Sequence, residues 1–114
     1  YCHTCGAIGD RLEDIVNVGF NGLECLDPPP LGNVDLKEAV EILNGKLFIK
    51  GNVDPVNTLM RGTPATITRD VNQILETAGH TMAGFILSSA CSVAPPVNPD
   101  HLKLMVELCR KFKP

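Results

Sequence analysis

Three residue types capable of holding a metal ion stand at two places in this chain. His3 and Cys5 are separated by one residue, so in an extended strand their side chains leave the same face, which is how a strand end presents two ligands. Cys91 follows a second apolar run, Phe85 to Ala90, and supplies a third ligand if the two strands lie near each other. An imidazole with two thiols is a donor set suited to a borderline metal such as Zn²⁺. The blander reading is a satisfied histidine and inert thiols, and spacing alone does not choose between them.

The intervening sequence must bring these residues together. Ile8, Leu12, Ile15 and Val16 recur at helical spacing with Asp10, Arg11, Glu13 and Asp14 on the other side, predicting a short amphipathic helix ending near Gly19. Gly22 to Leu26 reads as a buried strand, stopped by Asp27-Pro28-Pro29-Pro30. Asp35 with Glu38 three positions on resembles a capping box and opens a second helix, with Leu36, Ala39, Val40 and Leu43 on one face. Lys46 to Lys50 forms the next strand and runs into Gly51-Asn52-Val53-Asp54-Pro55, with a turn of helix expected from Val56 to Arg61. Thr63-Pro64 and Asn98-Pro99 are the same helix-start signal used twice, a capping side chain followed by proline at the first helical position. Between those two helices, Gly84 to Ala90 is a strand.

Strand alternating with helix throughout predicts parallel strands joined by right-handed crossovers. A (β/α)₈ barrel needs about 250 residues for eight such units; this chain, at 114 residues, has enough for four. The whole of it, residues 1-114, reads as one domain or part of one. Residue 1 is a tyrosine, and Cys2-His3 looks like the tail of a strand whose beginning is missing, so a fragment of a larger fold is expected.

In α/β folds of this type chemistry gathers at the C-terminal edge of the strands. Each expected strand end carries polar or ligating groups: His3 and Cys5, Glu24 and Asp27, Asn52 and Asp54, then Cys91. Glu24 and Asp27 are each a fourth metal ligand or simply a polar strand end. The run from Gly51 to Pro55 is as readily an Asx-type turn as a functional segment. Cys2, Cys25 and Cys109 are expected to be structural, and His80 and His101 to face solvent. Five cysteines are an odd number, which suits reduced thiols better than a disulfide framework.

A net charge of −3 and the lack of a basic cluster argue against a nucleic-acid partner. No apolar run approaches the ~18 residues of a membrane span. A soluble, cytoplasmic protein is the expectation.

Four segments in order, HTCG at 3 to 6, GFNGLECLDPPPLGNVDL at 19 to 36, IKGNVDP at 49 to 55 with RGTP at 61 to 64, and ILSSACSVAPPVNPDHL at 86 to 102, resemble the C-terminal half of the uroporphyrinogen decarboxylase superfamily. The resemblance covers essentially the whole chain and implies the last four units of a (β/α)₈ TIM barrel. Two activities occur in that superfamily. The decarboxylases proper remove carboxyl groups from the acetate side chains of a tetrapyrrole, without metal or cofactor, in porphyrin biosynthesis. Their relatives, the corrinoid-dependent methyltransferases, move a methyl group from a methylated corrinoid protein to a thiol such as coenzyme M or to another acceptor. Those that use zinc carry H-x-C-G on one strand end and a later cysteine before a proline-containing loop.

His3, Cys5 and Cys91 match that zinc pattern residue by residue. The decarboxylases proper lack the set and have a glycine-rich segment where this chain has Ser88-Ser89-Ala90-Cys91. The resemblance therefore favours the methyltransferase branch, with zinc on His3, Cys5 and Cys91, Glu24 or Asp27 as a fourth ligand or substrate contact, and Asp10, Asn52 and Asp54 as weaker substrate-site candidates. The partners it implies are a corrinoid protein and a small methyl acceptor, or a tetrapyrrole in the alternative. Lys50 and Arg61 are the cations nearest the strand ends. An isolated set of four units also exposes apolar strand edges, which predicts self-association of the fragment.

Overall fold

The computed structural model describes residues 1–114. Four strands, β1 (Cys2–Thr4), β2 (Gly22–Cys25), β3 (Phe48–Val53) and β4 (Phe85–Ser89), form one sheet in the order β1-β2-β3-β4, with every neighbouring pair parallel. Helices α1 (Leu12–Val18), α2 (Leu36–Leu43), α3 (Pro64–Ala78) and α4 (Pro99–Lys111) follow the strands in turn. Sequential order with a helix after each strand is the wall of a (β/α)₈ barrel, of which the chain supplies four units. No helix is long and apolar enough to cross a membrane.

Strand alternation sorts the side chains into two layers. Cys2, Leu23, Ile49 and Phe85 stand in register across the sheet and pack toward the helices. Leu23 and Ile49 are fully buried there with Leu12, Ala39 and Leu43. A second apolar cluster gathers Val53, Leu59, Ile67, Val71 and Leu75 beneath α4, with Phe85 packed against both clusters. On the opposite face His3, Glu24, Lys50 and Ile86 form the register row, and Ile86 is 49% exposed.

The helix starts follow their chemistry. Asp35 accepts the Glu38 N–H at 3.0 Å, the Thr63 hydroxyl accepts the Thr66 N–H, and Asn98 accepts the Asp100 N–H, with Pro64 and Pro99 each in the first turn. A 3-10 turn at Gly9–Arg11 precedes α1. Two segments differ from expectation. β3 runs on through Gly51, Asn52 and Val53 instead of ending at Lys50, because those backbones pair with β4 through Val53↔Ser89. The helical turn after it is a π-helical segment, Pro55–Met60, capped by Asp54.

Candidate metal centre

The sheet curls enough to bring its two outer strands to one point. In a flat sheet, strands spaced about 4.8 Å apart would leave β1 and β4 about 14 Å from each other. Yet Cys5, just past β1, lies with its sulfur 3.4 Å from that of Cys91, just past β4. His3, Cys5, Cys25 and Cys91 each present a ligand atom, and all of these atoms lie within 4.8 Å of one another.

The separations suit a tetrahedral ion. Zn–S and Zn–N bonds of about 2.3 and 2.0–2.1 Å at tetrahedral angles give edges of about 3.8 Å between sulfurs and about 3.6 Å between sulfur and nitrogen. The Nε2 of His3 is 3.4 Å from Cys5 Sγ, which is itself 3.4 Å from the Cys91 sulfur and 3.6 Å from that of Cys25, while Cys25 Sγ lies 3.5 and 3.6 Å from the two ring nitrogens of His3. The soft and borderline donors favour zinc over a hard cation.

Glu24 holds the imidazole in place. Its carboxylate receives the His3 Nδ1 proton at 2.9 Å, leaving Nε2 toward the Cys5 sulfur, and its other oxygen pairs with the Lys50 ammonium. Lys50 first and His3 second hold the Glu24 carboxyl below the usual carboxylate range. This is the carboxylate–histidine pairing that fixes tautomer and ring orientation behind a metal ligand. Burial, with the neighbouring Cys5 thiol second, pushes the Cys25 thiol far up in the absence of a cation. The hydrogen bond with Cys91 raises the Cys5 thiol, against a smaller lowering by its contact with Cys25.

The other candidates are placed as follows. Asp27 is buried and accepts the Gly6 N–H at 2.7 Å through Oδ2, while its Oδ1 has no partner. Asp10 is exposed and pairs with Arg11 on the 3-10 turn. Asn52 donates to the Leu26 carbonyl, tying β3 to the end of β2. Asp54 accepts from the Val56 and Asn57 N–H groups at 2.8 Å and from the Asn57 amide at 2.7 Å, so its carboxylate is committed to capping. His101, expected at the surface, is half-buried with Nδ1 2.7 Å from the Leu59 carbonyl, because α4 packs its first turn over the π-helical segment. His80 is exposed against the edge of Phe112.

Cys25 is the residue that the sequence reading set aside. Regular alternation would send it to the helix side with Leu23. Positive φ angles of 91° at Cys25 and 54° at Leu26 break that alternation at the strand end, and the sulfur joins the cluster. The signal available in the sequence was its position, one residue beyond Glu24 at an edge already carrying ligands.

Two cavities flank this edge. One of about 270 Å³ is lined by His3, Glu24, Lys50 and the residues Ser88 to Ser92, so it opens onto the His3 imidazole and the Cys91 thiol. A larger one of about 640 Å³ lies between the proline loop and α3, includes Asn52, Asp54 and Asp70 in its walls, and touches none of His3, Cys5, Cys25 and Cys91. The smaller cavity is the one placed for chemistry at the donors.

Residues 1–112 match the uroporphyrinogen decarboxylase (URO-D) family. Relatives include uroporphyrinogen decarboxylases of Ruthia magnifica, 31% identical over 102 residues, and of Chlorobium phaeovibrioides, 34% identical over 103 residues. The matches take in 89% and 88% of this chain but 27% of each relative, so the chain spans about a quarter of the length of the curated relatives it matches. A methyltransferase from Methanosarcina mazei shares the fold with a TM-score of 0.79 and 25% identity, over 96% of this chain and 30% of its own. With four β-α units arranged as a barrel wall and a family match along nearly its whole length, this chain belongs to the uroporphyrinogen decarboxylase family.

Proposed function

We propose that the intact protein transfers a methyl group from a methylated corrinoid protein to a thiol or similar acceptor, assisted by zinc held on His3, Cys5 and Cys91. The observation that carries this reading is the convergence of an imidazole nitrogen and thiol sulfurs at tetrahedral spacing on the C-terminal edge of the strands. Zinc at such a site supplies Lewis acidity, which lets a thiol acceptor give up its proton near neutral pH. The chain's own residues do the positioning. Glu24 keeps the proton of His3 on Nδ1, so Nε2 remains a free donor. Lys50 compensates the Glu24 charge and thereby keeps that carboxylate ionised beside the imidazole. Ser88 and Ser89 line the cavity from which a small acceptor reaches the cluster.

The second reading, decarboxylation of tetrapyrrole acetate groups, is supported by the names of the relatives at 31% and 34% identity. It needs cations for a polycarboxylate. In this chain Lys50 is already paired with Glu24, and Arg61 lies past the π-helical segment. Metal analysis of the full-length protein separates the two. Near-stoichiometric zinc, lost in Cys91→Ser, is expected for the methyltransferase; metal-free protein that decarboxylates uroporphyrinogen would overturn it.

A further inference from the structure

We infer that Cys25 is a fourth metal ligand, making the centre a His–Cys₃ site closed by protein donors at rest. The inference rests on the zinc reading above and adds to it a donor outside the His3, Cys5 and Cys91 set. Cys25 Sγ sits 3.6 Å from Cys5 Sγ and 3.5 and 3.6 Å from Nε2 and Nδ1 of His3, inside the group of donor atoms that all lie within 4.8 Å of one another. Of the alternative fourth donors, Glu24 is engaged by His3 and Lys50, and Asp27, which accepts the Gly6 N–H through Oδ2 and leaves Oδ1 unpartnered, stands outside the group of donor atoms that lie within 4.8 Å of one another.

The backbone supports the same assignment. Cys25 and Leu26 are the two non-glycine residues of the chain with positive φ, and such conformations persist where surrounding structure imposes them, often at ligand sites. Opposite Cys25 in the register stands Gly51, where a Cβ would lie 2.6 Å from the Cys25 carbonyl oxygen, so the bend at Cys25 depends on a neighbour without a side chain. Cys25 is fully buried, yet it belongs to neither apolar cluster; the groups around its sulfur are the other donors.

Cys91 and His3 line the 270 Å³ cavity and Cys25 does not. Cys25 would therefore hold the ion from the side away from the cavity, while His3 and Cys91 would be the donors that an entering acceptor meets.

The test is a count of sulfur ligands in the full-length protein, by X-ray absorption on the zinc form and by thiolate-to-metal charge-transfer absorption on the cobalt(II)-substituted form. Three sulfurs are expected in the wild type and two in Cys25→Ser, with 2-mercaptoethanol restoring three in the variant. Cys2→Ser, which removes a thiol outside the cluster, is expected to leave the count at three. Two sulfurs in the wild type, or a count unmoved by Cys25→Ser, overturns the assignment of Cys25 while leaving zinc on the other three. Failure of the wild type to bind either metal removes the zinc reading and this inference together. If Cys25→Ser does not fold, the wild-type count decides the question.

Discussion

Replacing Glu24 probes how the imidazole is aimed. Its carboxylate serves two donors, the Nδ1 proton of His3 at 2.9 Å and the ammonium of Lys50. Glutamine keeps one acceptor oxygen but turns an NH₂ toward the remaining donor, while alanine removes both acceptors. Loss of a carboxylate behind a ligating histidine costs about 10- to 100-fold in metal affinity. At about 1.4 kcal/mol per tenfold, Glu24→Gln is expected near the lower end and Glu24→Ala near the upper, about 2.7 kcal/mol. Lys50→Met separates this effect from loss of the ion pair. It leaves the His3 contact intact and removes only a solvent-screened pair, so a change of a few-fold or less is expected. Competition with a chromophoric chelator gives the zinc affinity of each variant, with circular dichroism to check the fold. Wild-type affinity in a folded Glu24→Ala protein would show that Glu24 does not aim His3.

Asp54→Ala is expected to destabilise the chain by about 2–3 kcal/mol, since it strips a buried carboxylate that accepts three hydrogen bonds at the start of the π-helical segment. Urea unfolding measures it, and a loss below about 0.5 kcal/mol would contradict the capping role. The isolated 114-residue chain, with Ile86 49% and Tyr1 64% exposed on or beside the open face of the sheet, is expected to elute from size exclusion above its 12.3 kDa monomer mass. A clean monomer across a concentration series would refute that.

Much of this architecture was legible because local chemistry and tertiary structure agree. Thr63-Pro64 and Asn98-Pro99 start helices wherever they occur with an apolar stripe behind them, and both do so here. His3, Cys5 and Cys91 stood out because residues two apart share a face and strand ends of one fold type share an edge. Cys25 was less legible. Its side-chain direction depends on a departure from regular strand geometry that its own residue type does not favour, and on the vacancy provided by Gly51 in the next strand. The far end of β3 was hidden for a related reason. Gly51, Asn52 and Asp54 are turn formers in isolation, and only pairing with β4 keeps Gly51 and Asn52 in the sheet. The row His3, Glu24, Lys50 and Ile86 is likewise a property of register, which no single strand contains.

The meeting of Cys5 and Cys91 across 86 positions of sequence also has a mechanical side. A cation joining them would clasp the chain into a loop enclosing α1, β2, α2, β3, α3 and β4. On the chain-entropy account of a cross-link, closing a loop of that length takes about 4–5 kcal/mol of freedom from the unfolded chain. The same clasp would hold the curvature of the wall, since the sulfurs can touch only while the outer strands lean toward each other. Ligand exchange at the mouth would then be felt as slack along the sheet, coupling what enters the site to how tightly this part of the barrel is drawn.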